Sequence, residues 1–230
     1  MEKNIALIPA YNPDYKLINL VAELINNKFV IVVVNDGSNN DSLDIFNTIR
    51  DKCILIDHEV NKGKGVALKT GLQFIVNNFN DYVVVTLDCD GQHTIKDTIN
   101  ICRCANENTD SLILGSRMFN TNDVPARSKL GNKITRGIFH LVTGNKIYDT
   151  QTGLRAFSEK IAKELLHIDG DRFEYEINVL LDFSKRKIPI KEIEIETVYI
   201  DNNSSSHFKP ISDSFKIYKQ IFKYIFMKKN

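Results

Sequence analysis

The first half of the chain alternates apolar, β-branched runs with stretches of helical periodicity, and this alternation restricts the possible folds more than any other feature. Phe29 to Val34 is an unbroken apolar run, which is typical of a strand buried on both faces. Tyr15 to Asn27 instead repeats its apolar residues every three or four positions and is predicted to be helical. Strand–helix units repeated in this way predict an α/β fold, with a mixed, mainly parallel sheet flanked by helices.

The remaining elements follow from the same two patterns. In the first half, strands are predicted at Asn4–Pro9, Phe29–Val34, Cys53–Asp57 and Tyr82–Leu87, and helices at Tyr15–Asn27, Asp41–Arg50 and Gly65–Asn77. In the second half, helices are predicted at Thr94–Glu107, Ile134–Thr143 and Phe173–Arg186, and strands at Ser111–Gly115, Arg155–Phe157 and from Pro189 through Tyr199. Asp201–Pro210 is a polar loop and Ser212–Lys229 a further helix. We expect one domain over residues 1–210 and a C-terminal amphipathic helix over residues 211–230.

Net charge and the distribution of apolar residues argue against a nucleic-acid-binding, secreted or membrane-spanning protein. The 230 residues carry a net charge of +1, so no overall field would attract nucleic acid. The N-terminus lacks the basic and apolar regions of a signal peptide, and the longest apolar run has six residues, whereas a membrane-spanning helix needs roughly 18. We therefore expect a cytosolic protein whose cysteines are reduced thiols.

Polar turns follow three of the predicted strands. They are Pro9-Ala10-Tyr11-Asn12, Asn35-Asp36-Gly37-Ser38 and Asp88-Cys89-Asp90-Gly91. In an open parallel sheet, ligands bind beyond the carboxyl ends of the strands, so the three turns are expected to form one site.

The third turn places two carboxylates, Asp88 and Asp90, two residues apart. Like charges so close repel each other unless a cation joins them. A hard divalent ion with oxygen ligands would do so and would leave coordination positions for a diphosphate, and Gln92 could supply a third oxygen. The alternative is that this Asp-x-Asp-Gly sequence is only a turn.

Two other segments of this edge are suited to a nucleotide. Asp36 could accept a hydrogen bond from a ribose hydroxyl or a base N–H, or could simply cap a helix or turn. The segment Asn61–Gly65 precedes a helix and combines glycines with Lys62 and Lys64, which favours phosphate binding at the helix N-terminus. A simple basic loop would have the same composition.

Basic residues early in the second half are candidates for an acceptor phosphate, with arginine as the bidentate donor. They are Arg117, Arg127, Lys129, Lys133 and Arg136. No aromatic ladder accompanies them, which argues against a platform for nucleic acid.

Two acidic residues further along have a possible role in catalysis. Glu174 or Glu176 could face the cleft as a base or an orienting group, or could only stabilise the start of a helix.

The C-terminal part offers a loop and an amphipathic helix. His207 lies among hydroxyl side chains in a polar loop that could cover a diphosphate. The helix after it interleaves lysines with aromatic residues such as Phe215, Tyr218 and Phe222. This pattern favours contact with a membrane surface, and the alternative is packing onto the domain or a partner.

Taken together, these segments resemble the family 2 glycosyltransferases, which have the GT-A (Rossmann-like) fold. The segments IPAYN, VNDGSNNDS, NKGKGVALKTG, LDCDGQH and GSR stand in the order and at the spacing of that family, over nearly the whole chain. Within the family the chain looks most like the dolichyl- or polyprenyl-phosphate sugar synthases, through Asp149–Phe157 (DTQTGLRAF) and the late SSSHF loop.

The resemblance implies roles for individual residues. The metal ligands, for Mg²⁺ or Mn²⁺, correspond to Asp88, Asp90 and Gln92. The donor contacts correspond to Pro9, Tyr11, Asn12, Asp36, Lys64, Asp88, Ser206 and His207, where His207 replaces a lysine that is frequent in the family's late loop. The acceptor contacts correspond to Arg117, Arg127 and Gln151, and the residues expected to carry catalysis are Asp90, Arg117 and Glu174.

The resemblance also implies a reaction, which is inverting transfer of a sugar from a nucleoside-diphosphate sugar to a polyprenyl phosphate. A phosphate oxygen attacks the anomeric carbon and the nucleoside diphosphate leaves from the other face, so no strong general base is needed. The alternative is a transferase that acts on a sugar hydroxyl in cell-surface polysaccharide or teichoic-acid synthesis, with Glu174 or Glu176 as base. A nucleotidyltransferase and a non-catalytic binding module are more distant alternatives.

A lipid acceptor implies a location. The enzyme is expected to be peripheral at the inner face of the membrane, lying on the bilayer surface or on a small membrane-protein partner.

Overall fold

Seven strands form a single sheet in the computed structural model, which describes residues 3–117 and 126–196, together with residues 220, 221 and 224, and omits the side chains of residues 126–133. The strands are β1 (Lys3–Ala10), β2 (Val30–Asn35), β3 (Ile54–Asp57), β4 (Tyr82–Thr86), β5 (Leu112–Arg117), β6 (Arg155–Ser158) and β7 (Ile190–Ile195). Their order across the sheet is β3-β2-β1-β4-β6-β5-β7. Neighbouring strands are parallel except at β6, which runs antiparallel to both β4 and β5.

Helices cover both faces of the sheet. They are α1 (Lys16–Asn26), α2 (Leu43–Ile49), α3 (Lys64–Asn78), α4 (Ile95–Glu107), α5 (Ala126–Thr143), α6 (Glu159–Leu165) and α7 (Glu174–Arg186). Buried residues of α1, α2 and α4 form the core on one face, and those of α3, α5, α6 and α7 form the core on the other. None of the helices within the described ranges combines the length and the apolar character that crossing a bilayer requires.

The central strands are buried from both sides, which explains their continuous apolar sequence. In β1, Ile5 and Leu7 belong to the core beneath α3 and α7, whereas Ala6 and Ile8 belong to the core beneath α1 and α4. All four side chains are fully buried. Because successive residues of a strand point to opposite faces, a sheet covered twice needs apolar residues at every position.

The reversed strand β6 brings a second set of residues to the edge where the parallel strands end. Arg155, the first residue of β6, pairs with Thr86 at the end of β4 and with Leu114 in β5. The segment that enters β6 therefore lies beside the segments that leave β4 and β5. This arrangement places residues 149–154 at the carboxyl edge.

The predicted α/β class and the mainly parallel sheet are confirmed, and most element bounds agree within two residues. The helix predicted from Ile134 begins earlier, at Ala126. Helix α6, which spans seven residues, was not predicted, because two turns give too little periodicity to detect. The last strand ends at Ile195, and residues 197–199 of its predicted extension lie outside the described residues.

The predicted C-terminal helix is described at only three positions. Ile221 is fully buried, and Tyr224 packs against the core that contains α7. Packing onto the domain, one of the two alternatives for this segment, therefore occurs at these positions. The predicted loop at Asp201–Pro210 and the division at residue 210 lie outside the described residues and stay predictions.

Helix α3 crosses the sheet so closely that a side chain at Gly71 has no room. A Cβ there would lie 2.2 Å from Leu7 Cδ1 and 3.2 Å from Val34 Cγ2. We expect Gly71→Ala to lower the free energy of unfolding by about 1–3 kcal/mol, because overpacking shifts the helix or the strand. Urea unfolding followed by circular dichroism measures this change.

Gly137→Ala is the matched control, since it also introduces one methyl group into a helix. A Cβ at Gly137 would meet nothing within 4 Å. The control should therefore gain about 0.5–1 kcal/mol from the higher helix propensity of alanine. Equal effects of the two substitutions would contradict the close approach of α3.

Candidate active site

The carboxyl edge of the sheet holds a lysine between two carboxylates. Lys64 Nζ lies 2.7 Å from Asp88 Oδ1 and 2.8 Å from Glu176 Oε1. The side chains of Lys64 and Glu176 are 15% and 10% exposed, whereas that of Asp88 is 32% exposed. Lys64 and Glu176 are thus largely shielded from solvent, whereas a ligand can reach the ion pairs from the side of Asp88.

Local structure fixes each member of this group. Lys64 is the first residue of α3 and follows Gly63, whose φ of 104° lies in the region that favours glycine. Asp88 follows β4, and the backbone of Gly153 packs against it so tightly that a Cβ would lie 2.2 Å from Asp88 Oδ2. Glycine at position 153 therefore allows the segment before β6 to close against Asp88.

The ion pairs keep Asp88 and Lys64 charged. Burial alone would raise the pKa of Asp88, but Lys64 and His93 outweigh it and hold that pKa well below its ordinary 3.8. Burial alone would lower the pKa of Lys64, but Asp88 and Glu176 outweigh it and raise that pKa above its ordinary 10.5. Both groups are ionised across the physiological range.

Asp90 is in the opposite electrostatic situation. Burial, and after it the negative charge of Asp88, raise the pKa of Asp90 above its ordinary 3.8. Its Oδ1 accepts a hydrogen bond of 3.1 Å from the backbone N–H of Gln92, which closes the turn. The ionised form of Asp90 is therefore the one that the fold disfavours.

The turn fits a divalent cation bound through oxygen. Asp88 and Glu176 contact one ammonium, and Asp88, after burial, raises the pKa of Asp90, so a second positive charge would relieve the repulsion between the two aspartates. In the described part of the chain, no three His, Cys, Asp or Glu side chains converge as a ready-made metal site. The protein would thus supply the two aspartates and Gln92 and leave the other positions to ligand oxygens.

Cys89 lies between the two aspartates in the sequence. Burial, together with the charges of Asp90 and Asp88, raises the pKa of its thiol to about 12. The thiolate, which is the form that binds metals, is therefore scarce at neutral pH. All four cysteines are free thiols, as the sequence predicted.

Asp36 lies at the end of β2 and is bound on all sides by the protein itself. Its Oδ1 accepts from the backbone N–H of Lys62 at 2.9 Å and lies 2.8 Å from His58 Nδ1, and its Oδ2 accepts from the N–H of Gly63 at 2.8 Å. The residue is 3% exposed. Its carboxylate therefore holds the loop that leads into Lys64, and its predicted contact with a donor stays a prediction.

Hydrogen bonds also join the first two predicted turns. The N–H of Asn12 donates to Ser38 Oγ at 2.9 Å, and the N–H of Asn39 donates to Asn12 Oδ1 at 2.8 Å. Asn12 has a φ of 48°, a conformation that asparagine tolerates better than most residues. Pro9, the last residue but one of β1, pairs with Val34, and Tyr11 follows the end of the strand at the same edge. The structure thus brings the three predicted turns to one edge.

Arg117 is held at this edge by a buried aspartate. Its Nε and Nη2 donate to Asp149 Oδ2 and Oδ1 at 2.7 and 3.2 Å, in a two-pronged contact. Asp149 is fully buried, and its Oδ1 also accepts from the N–H of Gln151 at 3.2 Å. Arg117 and Gln151, two of the predicted acceptor residues, are therefore neighbours. The side chain of Arg127 lies outside the described residues.

The structure distinguishes Glu174 from Glu176. Glu174 Oε1 accepts from the N–H groups of Asp171 and Arg172, both at 3.2 Å, so this carboxylate closes the turn before α7. Glu176, two residues later, is the one that contacts Lys64. Geometry therefore favours Glu176 over Glu174, the residue chosen from the sequence, as the carboxylate of the site. Ser206 and His207 lie outside the described residues.

Comparison with known proteins decides the family. Residues 5–166 match the model of the family described as "Glycosyl transferase family 2". The chain belongs to glycosyltransferase family 2. It is therefore a glycosyltransferase, as the motifs Asp88–Gln92 and Asn61–Gly65 implied.

Two relatives of this glycosyltransferase are named for lipid-phosphate acceptors. A Methanococcus voltae protein named UDP-N-acetylglucosamine–dolichyl-phosphate N-acetylglucosaminyltransferase is 32% identical over 85% of this chain and 85% of its own length. A dolichyl-phosphate β-glucosyltransferase of Dictyostelium discoideum is 27% identical over 94% of this chain and 71% of its own length.

Solved structures confirm the GT-A fold of the glycosyltransferase. The glucosyl-3-phosphoglycerate synthase of Mycobacterium tuberculosis, crystallised with Mn²⁺, UDP and phosphoglyceric acid, superposes with a TM-score of 0.69. The match covers 97% of this chain and 77% of that one at 15% identity, so it concerns the fold alone.

Some residues of the glycosyltransferase site were not singled out from the sequence. Asp149 and Gly153 belong to a motif noted only for its resemblance, and their roles depend on β6 running backwards, which local patterns do not show. Arg155 is 5% exposed and donates to the carbonyl oxygens of Thr152 and Glu176, each at 3.0 Å. A buried arginine at the start of an apolar strand is a signal that could have marked this position.

The opposite pKa directions of the two aspartates predict opposite effects on stability without metal. A lowered pKa means that Asp88 stabilises the fold above its ordinary 3.8 and that this contribution is lost as the pH falls. Asp88→Asn should lower the free energy of unfolding at pH 7.5 by about 1–3 kcal/mol, because Lys64 loses a charged partner. Urea unfolding in the presence of a chelator measures the change.

Asp90→Asn is the matched control at the neighbouring carboxylate. A raised pKa means that ionised Asp90 destabilises the fold at neutral pH, so removing its charge should raise the free energy of unfolding. If both substitutions destabilised the metal-free protein equally, the repulsion between the two carboxylates would not be as described.

Proposed function

We propose that this glycosyltransferase transfers a sugar, with inversion, from a nucleoside-diphosphate sugar to a polyprenyl phosphate, and that it uses Mg²⁺ or Mn²⁺. The observation that carries the proposal is the arrangement of one edge of the sheet. An acidic turn, Asp88 to Asp90, lies on one side of β6, and an arginine held by a buried aspartate, Arg117, lies on the other. The first is suited to a cation with a diphosphate and the second to an anionic acceptor.

The donor half of the proposal rests on the acidic turn. Asp88, Asp90 and Gln92 would hold the cation, which when bound would neutralise the charge of the departing diphosphate. Lys64 adds a positive charge at the start of α3, where the backbone N–H groups also favour a phosphate. The Mycobacterium tuberculosis structure that shares this fold contains Mn²⁺ and UDP.

The acceptor half rests on the two glutamates considered as possible bases, both of which have partners within the protein. Glu174 closes a backbone turn, and Glu176 forms an ion pair with Lys64, so both carboxylates have structural contacts. A phosphate monoester is already ionised at pH 7 and needs no such base. Arg117, oriented by Asp149, would position that anion. Relatives with 32% and 27% identity carry dolichyl phosphate in their names.

A lipid acceptor places the reaction at a membrane surface. We propose a peripheral enzyme at the inner face of the membrane, in contact with the bilayer or with a small membrane-protein partner. A relative of Edwardsiella ictaluri, 24% identical over 83% of this chain, is named an undecaprenyl-phosphate 4-deoxy-4-formamido-L-arabinose transferase.

The proposal is tested by supplying labelled UDP- and GDP-sugars with undecaprenyl phosphate and Mn²⁺ in detergent. The expected product is a lipid-phosphate sugar that partitions into organic solvent and is labile to mild acid. Transfer to a glycan hydroxyl, with no labelled lipid phosphate, would instead support the polysaccharide alternative and refute the proposed acceptor.

Asp90→Ala tests the cation. Removing one of two carboxylate ligands should lower kcat by at least about a hundredfold, since the departing diphosphate is left without its neutralising charge. Asp51→Ala removes an exposed carboxylate elsewhere and should leave kcat unchanged. Isothermal titration with Mn²⁺ and UDP should show the same contrast, and full activity of Asp90→Ala would rule out the metal role.

Glu176→Gln and Glu174→Gln separate the two carboxylates of α7. Loss of the charge that faces Lys64 should let this lysine shift toward Asp88 and should lower kcat about tenfold to a hundredfold. Glu174→Gln keeps an oxygen that can accept from the same N–H groups, so its effect on kcat should be small. A larger loss in Glu174→Gln would restore Glu174 as the functional residue.

A further inference from the structure

The segment around α5 has an unusual distribution of charge. From Val124 to Tyr148 the sequence contains no Asp or Glu. In the same stretch stand five basic residues, Arg127, Lys129, Lys133, Arg136 and Lys146. In a chain with a net charge of +1, this is a local concentration of positive charge. Of these five residues, Arg136 and Lys146 have described side chains, and a local excess of positive charge favours an anionic partner.

The same surface exposes large apolar side chains. Leu141 is 86% exposed, Tyr148 is 56% exposed and Ile134 is 44% exposed. Ile134 and Leu141 are seven residues apart on α5, so they lie on one side of the helix. Gly137 lies between them on that side, and a Cβ there would meet nothing within 4 Å. Ile134, Gly137 and Leu141 thus form an apolar strip on the helix surface, and Gly137 leaves its centre without a side chain.

Tyr148 links this strip to the basic residues. The guanidinium of Arg136 lies 5.3 Å from the centre of the Tyr148 ring, a cation–π distance. The acidic side chain in contact with this part is Glu192, whose carboxylate accepts from the N–H groups of Tyr148 and Asp149. Its carboxylate is thus held by backbone N–H groups beside Tyr148.

The strip is continuous with the proposed acceptor site. Tyr148 is followed by Asp149, the buried aspartate that holds Arg117. On its inner side, α5 packs through Phe139 into the core that contains α7, so the strip faces away from the sheet. A surface pressed against the strip would therefore lie close to Arg117.

We propose that the face made by Ile134, Gly137, Leu141, Lys146 and Tyr148 docks on an anionic lipid bilayer. This inference rests on the proposed function, because it identifies the surface by which the enzyme would reach a lipid phosphate. Charge complementarity favours a bilayer with anionic headgroups, to which each basic residue near the surface adds affinity. Aliphatic and tyrosine side chains beside basic residues are the composition of helices that lie in the membrane interface.

A fluorescence experiment can locate this contact, because the chain contains no tryptophan. Leu141→Trp introduces one reporter on the proposed face. Leu43→Trp introduces one at a leucine that is 49% exposed on α2, which covers the opposite face of the sheet. Each full-length variant is mixed with vesicles of phosphatidylcholine, with or without phosphatidylglycerol, and with the same lipids carrying brominated chains.

On vesicles with phosphatidylglycerol, the emission of Trp in the Leu141→Trp variant should shift to the blue and be quenched by the brominated lipid. The emission of the Leu43→Trp variant should do neither. Equal quenching of the two, or binding without quenching of the Leu141→Trp variant, would overturn the proposal and assign the contact to another part of the chain. Failure to bind anionic vesicles at all would also overturn it.

Two further substitutions separate the apolar and the charged contributions. Leu141→Gln should weaken vesicle binding roughly tenfold, since a largely exposed leucine loses its transfer into the interface. Lys146→Gln should weaken binding about fivefold, and only on vesicles that contain phosphatidylglycerol. Leu43→Gln is the matched control and should leave binding unchanged. If Lys146→Gln acted equally on neutral vesicles, attraction to anionic headgroups would be excluded.

Failure of this inference and failure of the proposed function give different results. Vesicle binding is measured without any donor. Sugar transfer is measured on a short-chain prenyl phosphate in detergent, where docking on a bilayer is not needed. Leu141→Gln should therefore keep full activity in detergent and lose activity when the acceptor is embedded in anionic vesicles. Absence of transfer from every donor in detergent would refute the proposed function and leave the docking surface standing.

Discussion

The site depends on the ion pairs of the Lys64 ammonium, because they connect segments that are far apart in the sequence. It lies between a carboxylate that follows β4 and one in the first turn of α7. Withdrawing such groups from water is unfavourable unless each charge keeps a close partner, so the three groups stabilise the fold only as a set. Asp88 is also the residue proposed to bind the cation. An ion bound there would share this carboxylate with Lys64, so the affinity for metal would depend in part on a lysine that is not a ligand.

Beneath this group lies a second layer of buried polar contacts. Asp36 fixes the loop that delivers Lys64, and Asp149 fixes Arg117. Arg155 donates to the backbone carbonyl groups of Thr152 and Glu176, and burial lowers the pKa of its guanidinium. Each of these residues is at most 5% exposed. The groups proposed to bind ligands are thus positioned by a layer of buried polar contacts, which keeps the site rigid.

Much of this arrangement was predictable because it follows from local patterns. The β-branched runs of β2 and β4 and the periodicity of α1 and α3 identify a parallel sheet, and parallel strands bring Tyr11, Asp36 and Asp88 to one edge. The direction of β6 was not predictable, since four residues carry no signal of the strands they will pair with. The choice between Glu174 and Glu176 was not predictable either. Helix α7 is buried over a broad face, so periodicity does not say which glutamate turns toward Lys64.

The position of β6 has a consequence for how the chain acquires its structure during synthesis. β5 has two neighbours in the sheet, β6 and β7, and both follow it in the sequence. When the apolar residues Leu112 to Leu114 leave the ribosome, the strands already made offer them no partner of the native sheet. They must wait for residues 155–158, and the edge of β4 must stay open for the same interval. The pairing that completes the site is therefore among the last to form, and until then an apolar strand stays exposed to aggregation.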